Sequence, residues 1–201
     1  MQKLFLSKLI AYDYWLNMRK NFSEYAPIQR CACCGKIVRF KKHGYYKRYY
    51  NCKEFMDKIE IRRYICSSNG CNHTISMLPN FCHPRFINGL KEIFIYLTQY
   101  FQRKGTVKEV LDISQKLTGM NLSRQLLYYY SKRFIDNLRY IKSTLRVLDS
   151  KIELPREWEG KKEKAKQVLT LVNNWSCPIN MLSQRFHEET LITLLYKQKP
   201  I

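Results

Sequence analysis

The chain has 201 residues and a formal net charge of +20, from 36 lysines and arginines against 16 aspartates and glutamates. This length suits one domain or two small ones, and the 45% hydrophobic content excludes a wholly disordered chain. A charge this large is unfavourable through self-repulsion unless a polyanion is nearby. We therefore expect nucleic acid as a partner, and a merely solubilising basic surface is the alternative.

Residues 1–24 predict an N-terminal helix and no export signal. The apolar side chains follow the spacing of a short amphipathic helix over residues 3–20: Leu4, Phe5, Leu9, Tyr12 and Trp15 or Leu16. Lys8 interrupts the apolar run, and no segment approaches the length of a membrane span. We expect a cytoplasmic, nucleoid-associated protein without membrane contact, in a reducing compartment where cysteine pairs favour metal over disulfides.

Residues 25–85 contain two cysteine pairs that predict a zinc ribbon. Cys31 and Cys34 form a C-x2-C pair followed by glycine, and Cys66 and Cys71 form a C-x4-C pair. A strand-like segment separates the pairs, so each pair is expected to supply two thiolates to one structural, tetrahedral Zn2+ ion. The alternative is that these four cysteines are only buried apolar side chains.

Other cysteines and one histidine lie near this ligand set. Cys33 lies inside the first knuckle, but the C-x2-C spacing favours Cys31 with Cys34. His73 either replaces a cysteine, hydrogen-bonds a ligand or contacts phosphate. The cysteines without paired spacing are mostly expected to be buried: Cys33, Cys52, Cys82 and Cys177.

A basic, tyrosine-rich segment lies between the two pairs. Residues 38–50 carry Gly44 as a predicted turn, and residues 58–65 predict a strand with a bulge. Lysines and arginines can neutralise phosphates while tyrosines pack on sugars or bases. A strand edge that lysines protect from aggregation is the alternative. The side chains that we assign to nucleic-acid contacts here are Lys41, Lys42, Lys47 and Arg48.

Residues 86–150 predict a helical domain that begins with a long helix over residues 86–103. Thr106 and Glu109 then form a capping box for a helix over residues 107–117. Gly119 is a natural C-terminal cap for that helix. This helix and the next one, with a short glycine-containing turn between them, are the pattern of a helix-turn-helix.

The second helix of that motif is the predicted recognition helix. Ser123 caps it, and its inward side chains are Leu127, Tyr130, Phe134 and Leu138. Arginine and glutamine are residue types that read guanine and adenine in the major groove. The side chains predicted to meet DNA are Arg124, Gln125, Tyr128 and Lys132.

Residues 151–201 predict a C-terminal helical pair broken at Pro178. The first helix is centred on Val168, Leu169 and Val172 and ends near Trp175, and the second runs through Leu182, Phe186, Leu191 and Leu194. The expected fold class is therefore α+β, with a small β-rich zinc ribbon followed by a mainly α-helical domain.

No catalytic motif is recognisable, so we expect a protein that is not an enzyme. Metal-dependent strand cleavage needs clustered carboxylates. Asp112, Asp136 and Asp149 are the candidates, but their spacing is that of ordinary helix surfaces. A compact metal-dependent nuclease remains a third hypothesis.

Several of these motifs occur in the order of a known family. They are C-x2-C-G at residues 31–35, KHGYYKR at residues 42–48, RY-x-C-x4-C-x-HT at residues 63–74 and MLP-x-F at residues 77–81. They resemble bacterial zinc-ribbon proteins related to the N-terminal zinc-binding module of insertion-sequence transposases, over about residues 25–135. In that family a helix-turn-helix follows the ribbon. This chain departs in the four residues between Cys66 and Cys71, where two are usual, and in Ala32, where proline is common.

The resemblance implies DNA recognition linked to mobile elements, without implying DNA cleavage. We therefore expect a zinc-dependent, sequence-specific binder of duplex DNA that acts as a transposition accessory factor or a transcriptional regulator. A transposase or another nucleoprotein complex is a further expected partner. The alternative is an interaction module whose ribbon docks on a polymerase or nuclease complex. The target sequence and the oligomeric state do not follow from the sequence.

Overall fold

The computed structural model describes residues 2–5, 27–83, 86–103, 105–156, 158–174, 179–190 and 194–195. Within these ranges the chain is α+β, as predicted, with the strands before the helices. The strands are β1 (Gln2–Phe5), β2 (Ile28–Arg30), β3 (Ile37–Arg39), β4 (Lys41–Cys52), β5 (Phe55–Ile65) and β6 (Thr74–Pro79). The helices are α1 (Leu90–Gln102), α2 (Val107–Thr118), α3 (Arg124–Asp136), α4 (Leu138–Leu148), α5 (Lys161–Asn174) and α6 (Ile179–Thr190). None of these helices is long and apolar enough to cross a membrane.

The strands form a four-stranded sheet in the order β1-β6-β5-β4 and a separate β2–β3 hairpin. In the larger sheet β1 is parallel to β6, and β5 is antiparallel to both of its neighbours. Lys53 and Glu54 connect β4 to β5. Tyrosine and isoleucine are abundant in this hairpin, and both fit a pleated, half-buried surface. The strand predicted over residues 58–65 is thus confirmed and begins earlier, at Phe55.

Gly44 was expected to form a turn, and that prediction is wrong. It lies inside β4, where the pairing shifts register between Lys42 and Gly44, so that His43 is an extra residue opposite the continuous β5. Gly44 has a φ of +144°, which an L side chain rarely adopts. The glycine therefore permits a β-bulge rather than a reversal of the chain. The bulge expected in the second strand lies in its partner.

The predicted N-terminal helix is wrong at its start. Residues 2–5 form β1, which pairs with Ser76–Pro79 of β6. Backbone pairing along a sheet edge outweighs helical periodicity here, since apolar spacing alone does not distinguish a helix start from a short strand. The remainder of the predicted helix lies outside the described residues.

The helical domain is organised around α1, which packs against α2, α3, α5 and α6. The capping box of Thr106 and Glu109 is present at the start of α2. Gly119 ends that helix in the left-handed conformation with a φ of +69°. The Ser123 side chain accepts a hydrogen bond from the backbone N–H of Leu126 and so caps α3. These local predictions are confirmed.

Two helix boundaries differ from the predictions. α1 begins at Leu90 rather than residue 86, because Asn88 bridges to Asn51 of β4 and the Gly89 N–H donates to the Asn51 carbonyl at 2.6 Å. α3 ends at Asp136, and Leu138 starts α4 instead of continuing the helix that was predicted to extend through it.

The C-terminal pair is confirmed as α5 and α6, whose buried residues include Val168, Val172, Leu182 and Phe186. Trp175, Pro178 and Leu191 lie outside the described residues. Leu194 is buried in the core of the helical domain, which is continuous from α1 to α6.

Two smaller clusters of buried side chains lie in the β-rich part. One packs Ile59, Ile61, Leu78 and Phe81 against the end of the β4–β5 hairpin. The other surrounds the four paired cysteines with Phe40, Tyr64 and Ile75. The cysteine cluster is therefore separate from the main apolar core of the sheet.

Candidate metal centre and nucleic-acid interface

The two cysteine pairs meet at one point. The Sγ atoms of Cys31 and Cys71 are 3.7 Å apart, and those of Cys34 and Cys66 are 3.8 Å apart. All four sulfurs lie within 4.8 Å of one another. A tetrahedron of sulfurs with metal–sulfur bonds of about 2.3 Å has edges of about 3.8 Å. The group can therefore hold a metal ion, and the two close pairs have the spacing of a tetrahedral thiolate site.

Each pair is held by a tight turn with a glycine at positive φ. In the first turn the Gly35 N–H donates to the Cys31 carbonyl at 2.9 Å, and Gly35 has a φ of +70°. In the second turn the Cys71 N–H donates to the Ser68 carbonyl at 3.1 Å, and Gly70 has a φ of +73°. The turns direct two thiols from each loop toward a shared centre, as the sequence spacing predicted.

The four thiols do not ionise alike. The backbone N–H of Cys34 lowers the pKa of Cys31 to about 7, with burial opposing it and the N–H of Cys33 reinforcing it. At Cys71 the backbone N–H of His73 lowers the pKa, but burial and the hydrogen bonds that the Cys71 thiol donates to the neighbouring sulfurs outweigh it and raise the pKa to about 12. Four thiolates this close would repel each other strongly. Complete ionisation therefore requires a cation at their centre.

The neighbouring residues have other places. His73 does not belong to the ligand group, and its backbone carbonyl accepts from the Cys66 N–H at 2.9 Å. Cys33 is exposed on the first turn, whereas Cys52 and Cys82 are buried in the sheet cluster. The predicted burial is confirmed for Cys52 and Cys82 but not for Cys33, and Cys177 lies outside the described residues.

The basic residues of β4 do not form one surface. Lys41, Lys42 and Lys47 are all exposed. Alternation along the strand, allowing for the bulge, puts Lys42 and Lys47 on the face of Tyr45, and Lys41 on the opposite face. The Lys42 Nζ atom is 5.5 Å from the centre of the Tyr45 ring, which is the cation–π arrangement expected of neighbours on one face.

Arg48 makes hydrogen bonds within the protein. Its Nη2 donates to the carbonyls of His83, at 3.1 Å, and Phe86. The side chain is half-buried. Because two backbone carbonyls take its Nη2 donors, Arg48 joins β4 to the residues before α1. The phosphate contact of Arg48 stays a prediction, which its remaining N–H donors would have to make.

The face of α3 predicted to meet DNA is exposed. Arg124, Gln125, Tyr128 and Lys132 are on the surface, whereas Leu127, Tyr130 and Phe134 are buried. A hydrogen bond from the core holds the turn before α3, because the buried Tyr96 hydroxyl of α1 donates to the Met120 carbonyl.

Sequence reasoning missed the aromatic neighbours of this face. The Tyr128 ring lies edge-on to Tyr100, with centroids 6.0 Å apart. The Arg133 guanidinium is 4.9 Å from the centre of the Tyr129 ring. The spacing of Tyr129 and Arg133, one turn apart on a helix, could have indicated that pair.

The aspartates proposed for a nuclease do not form a site. Asp112, Asp136 and Asp149 belong to no group that could hold a metal ion within the described part of the chain. Comparisons of the chain with protein-family models, with curated proteins and with solved structures find no match. The resemblance to zinc-ribbon proteins therefore rests on the sequence motifs alone, and function must be argued from the site.

Proposed function

We propose that the protein binds duplex DNA at specific sequences and holds one structural Zn2+ ion at its four clustered cysteines. In line with its resemblance to transposase-related ribbons, it acts as a transposition accessory factor or a transcriptional regulator. The observation that carries the proposal is that Arg124 and Gln125, whose side-chain types can read base edges, are exposed on the first turn of α3, while the opposite face of the helix is buried.

The geometry of α2 and α3 supports a helix-turn-helix. Gly119 ends α2, Ser123 starts α3, and both helices pack on α1. A recognition helix reads base edges from its N-terminal half, where Arg124, Gln125 and Tyr128 lie. Leu127 and Tyr130 anchor the other face, so the exposed side chains are presented from a rigid element.

Four thiolates favour a soft or borderline metal over magnesium or calcium, which prefer oxygen ligands. Zn2+ has no redox chemistry and takes tetrahedral thiolate sites in zinc ribbons. All four positions are supplied by the protein, so the ion would have no open position for substrate. Its role would be to fold the ribbon, whose own cluster of buried side chains is small.

Phosphate contacts would come from the hairpin and add affinity without sequence information. Lys42 and Lys47 lie on one face of β4 and are the best candidates there. Lys132 on α3 would do the same beside the major groove. Each contact should contribute to the salt dependence of binding.

The experiment is selection of bound sequences from a random duplex pool by the zinc-loaded chain, followed by titration of selected and random duplexes. Arg124→Ala should lower the preference for the selected site by about one to two decades, since a bidentate contact to guanine gives about 1–3 kcal/mol of discrimination. Arg124→Lys keeps the positive charge but loses the two parallel N–H donors of the guanidinium. It should therefore retain its affinity for random duplexes and still lose its preference for the selected site. Equal losses on both duplexes for Arg124→Ala would contradict a reading role for α3.

A second candidate function is favoured by the exposed ribbon edge. Ile28 is 62% exposed and Ile37 is 67% exposed on the β2–β3 hairpin. Exposed apolar side chains on a small module are typical of a docking surface, here for a polymerase or nuclease complex. Salt-dependent duplex binding that survives Ile28→Ser and Ile37→Ser would favour DNA binding, whereas no duplex binding by the parent chain would favour docking.

A further inference from the structure

A cleft of about 560 Å³ lies between the end of α3, α4 and the start of α5. Its walls are predominantly cationic. The cationic side chains that line it are Arg139, Lys142, Arg146, Lys161 and Lys164. Asp136 supplies the only carboxylate among the described lining residues.

The cations converge because of helical spacing on two neighbouring helices. Residues 139, 142 and 146 fall on one face of α4, and residues 161 and 164 lie one turn apart at the start of α5. The backbone N–H groups of the first turn of α5 have no intrahelical acceptors and add partial positive charge to the same region. Packing of α4 with α5 brings the two sets together.

One ammonium group is held in place in this cleft. Lys142 is only 8% exposed, and its Nζ donates to the Pro155 carbonyl at 3.1 Å. Arg139, Arg146 and Lys161 are exposed and can move toward a ligand. Asp136 contacts Arg133 with 3.9 Å between Oδ2 and Nη1, so part of its charge is directed away from these cations. Such a concentration of like charge is unfavourable without an anion.

We propose that this cleft binds phosphate groups, either successive phosphates of a nucleic-acid strand or the phosphate chain of a free nucleoside triphosphate. Its volume is within the range of about 300–1,000 Å³ for small-molecule sites. Ile135 and Leu138 provide an apolar wall beside the cations, against which a sugar or base can pack. Paired cations that can each take one phosphate are the chemistry that both ligands share.

The cleft is distinct from the proposed reading face. Arg124 begins α3 and Asp136 ends it, so the two sites are about 18 Å apart along the helix axis. If the start of α3 contacts bases in the major groove, the cleft at the other end of this helix would face the phosphate backbone of the same duplex. The strand version of the proposal rests on the proposed DNA binding, whereas the triphosphate version does not.

The test uses the full zinc-loaded chain and the double variant Arg139→Gln/Arg146→Gln, with Lys151→Gln/Lys162→Gln as the control. Both pairs are exposed and remove the same charge, but residues 151 and 162 do not line the cleft. Binding is measured to a random-sequence duplex over a salt series and to adenosine triphosphate by calorimetry. Unchanged midpoints of thermal unfolding would verify that each variant is folded.

If a strand occupies the cleft, the slope of log affinity against log salt should flatten by about 2 in the double variant, since each lost phosphate contact removes about 0.9. If a free nucleotide occupies it, the double variant should bind adenosine triphosphate at least tenfold more weakly while the duplex slope stays unchanged. Behaviour equal to the control in both titrations would overturn the proposal. The double variant should lose the same affinity for selected and for random duplexes, because phosphate contacts carry no sequence information. Arg124→Ala should instead lose more affinity for the selected duplex.

Discussion

Replacing His83 by phenylalanine should make the protein more resistant to mild acid. His83 is fully buried, and its ring stacks on Phe86 with centroids 4.6 Å apart. Neither ring nitrogen has a hydrogen-bond partner among the described residues. Burial, reinforced by the charges of Arg48 and His187, lowers the pKa of His83 to about 3. The folded protein therefore keeps this imidazole neutral far below the usual pKa of histidine.

The magnitude follows from the difference between that pKa and the value of about 6.5 in an unfolded chain. Between these two values the unfolded chain binds a proton that the folded chain does not, so the free energy of unfolding falls as the pH falls. The decrease is about 1.4 kcal/mol for each pH unit well inside that window. From pH 7 to pH 5 the contribution of His83 is thus a loss of about 2 kcal/mol, and above pH 6.5 it adds almost none.

The assay is urea unfolding of the parent and of His83→Phe at pH 7 and pH 5, with the same excess of zinc. Protonation of the metal-binding thiols also lowers stability in acid, but it affects both proteins and cancels in the comparison. Phenylalanine preserves the stacked ring and removes the titrating group, so its pH 7 to pH 5 loss should be smaller by about 2 kcal/mol. Equal losses in the two proteins would refute the assignment of a neutral, unpartnered imidazole.

Three further changes test the centre and the helical domain. Cys34→Ser should release the metal and disorder the ribbon, as read by metal analysis, whereas Cys33→Ser in the same turn should retain it because that side chain is exposed. Gly119→Ala should lower the free energy of unfolding by about 1–2 kcal/mol, since the cost is that of the left-handed backbone alone and no atom lies within 4 Å of the added carbon. Leu127→Ala should lower it by about 2–5 kcal/mol in denaturant titrations, because the side chain is fully buried, and a loss below 1 kcal/mol would contradict its core position.

The features that the sequence predicted well are those that depend on few neighbours. The capping box at Thr106 and the left-handed cap at Gly119 are specified within a few residues, and both are present. The clustering of the cysteines also follows from short spacing, because each turn fixes the distance between its own two thiols. Bringing the two turns together depends on the tertiary fold. The strand-like segment between the cysteine pairs was the feature that predicted this.

The failures all involve partners distant in sequence. A glycine in a tyrosine-rich segment indicates either a turn or a bulge, and only the pairing with β5 decides that Gly44 is a bulge. Apolar spacing continues past Asn137, but the side chain of that residue donates to the Leu194 carbonyl at 2.8 Å and sits at the break between α3 and α4. The cationic cleft combines side chains of α3, α4 and α5, and none of these helices is unusual alone.

Strand β4 connects the metal centre to the helical domain, and its two ends depend on different interactions. Phe40, just before β4, is buried with the cysteines. The other end, about 40 Å away for a strand of 12 residues, is joined to the start of α1 by hydrogen bonds between Asn51 and residues 87 and 89. The apolar cluster of Ile59, Ile61 and Leu78 lies between these ends and includes no metal ligand. Loss of an ion held by the four cysteines should therefore release the cysteine turns and the β2–β3 hairpin first, while the far end of the β4–β5 hairpin and its junction with α1 remain folded. On this reasoning an ion at the four cysteines would determine the shape of the β-rich surface around them, whereas the orientation of α3 depends on the helical core.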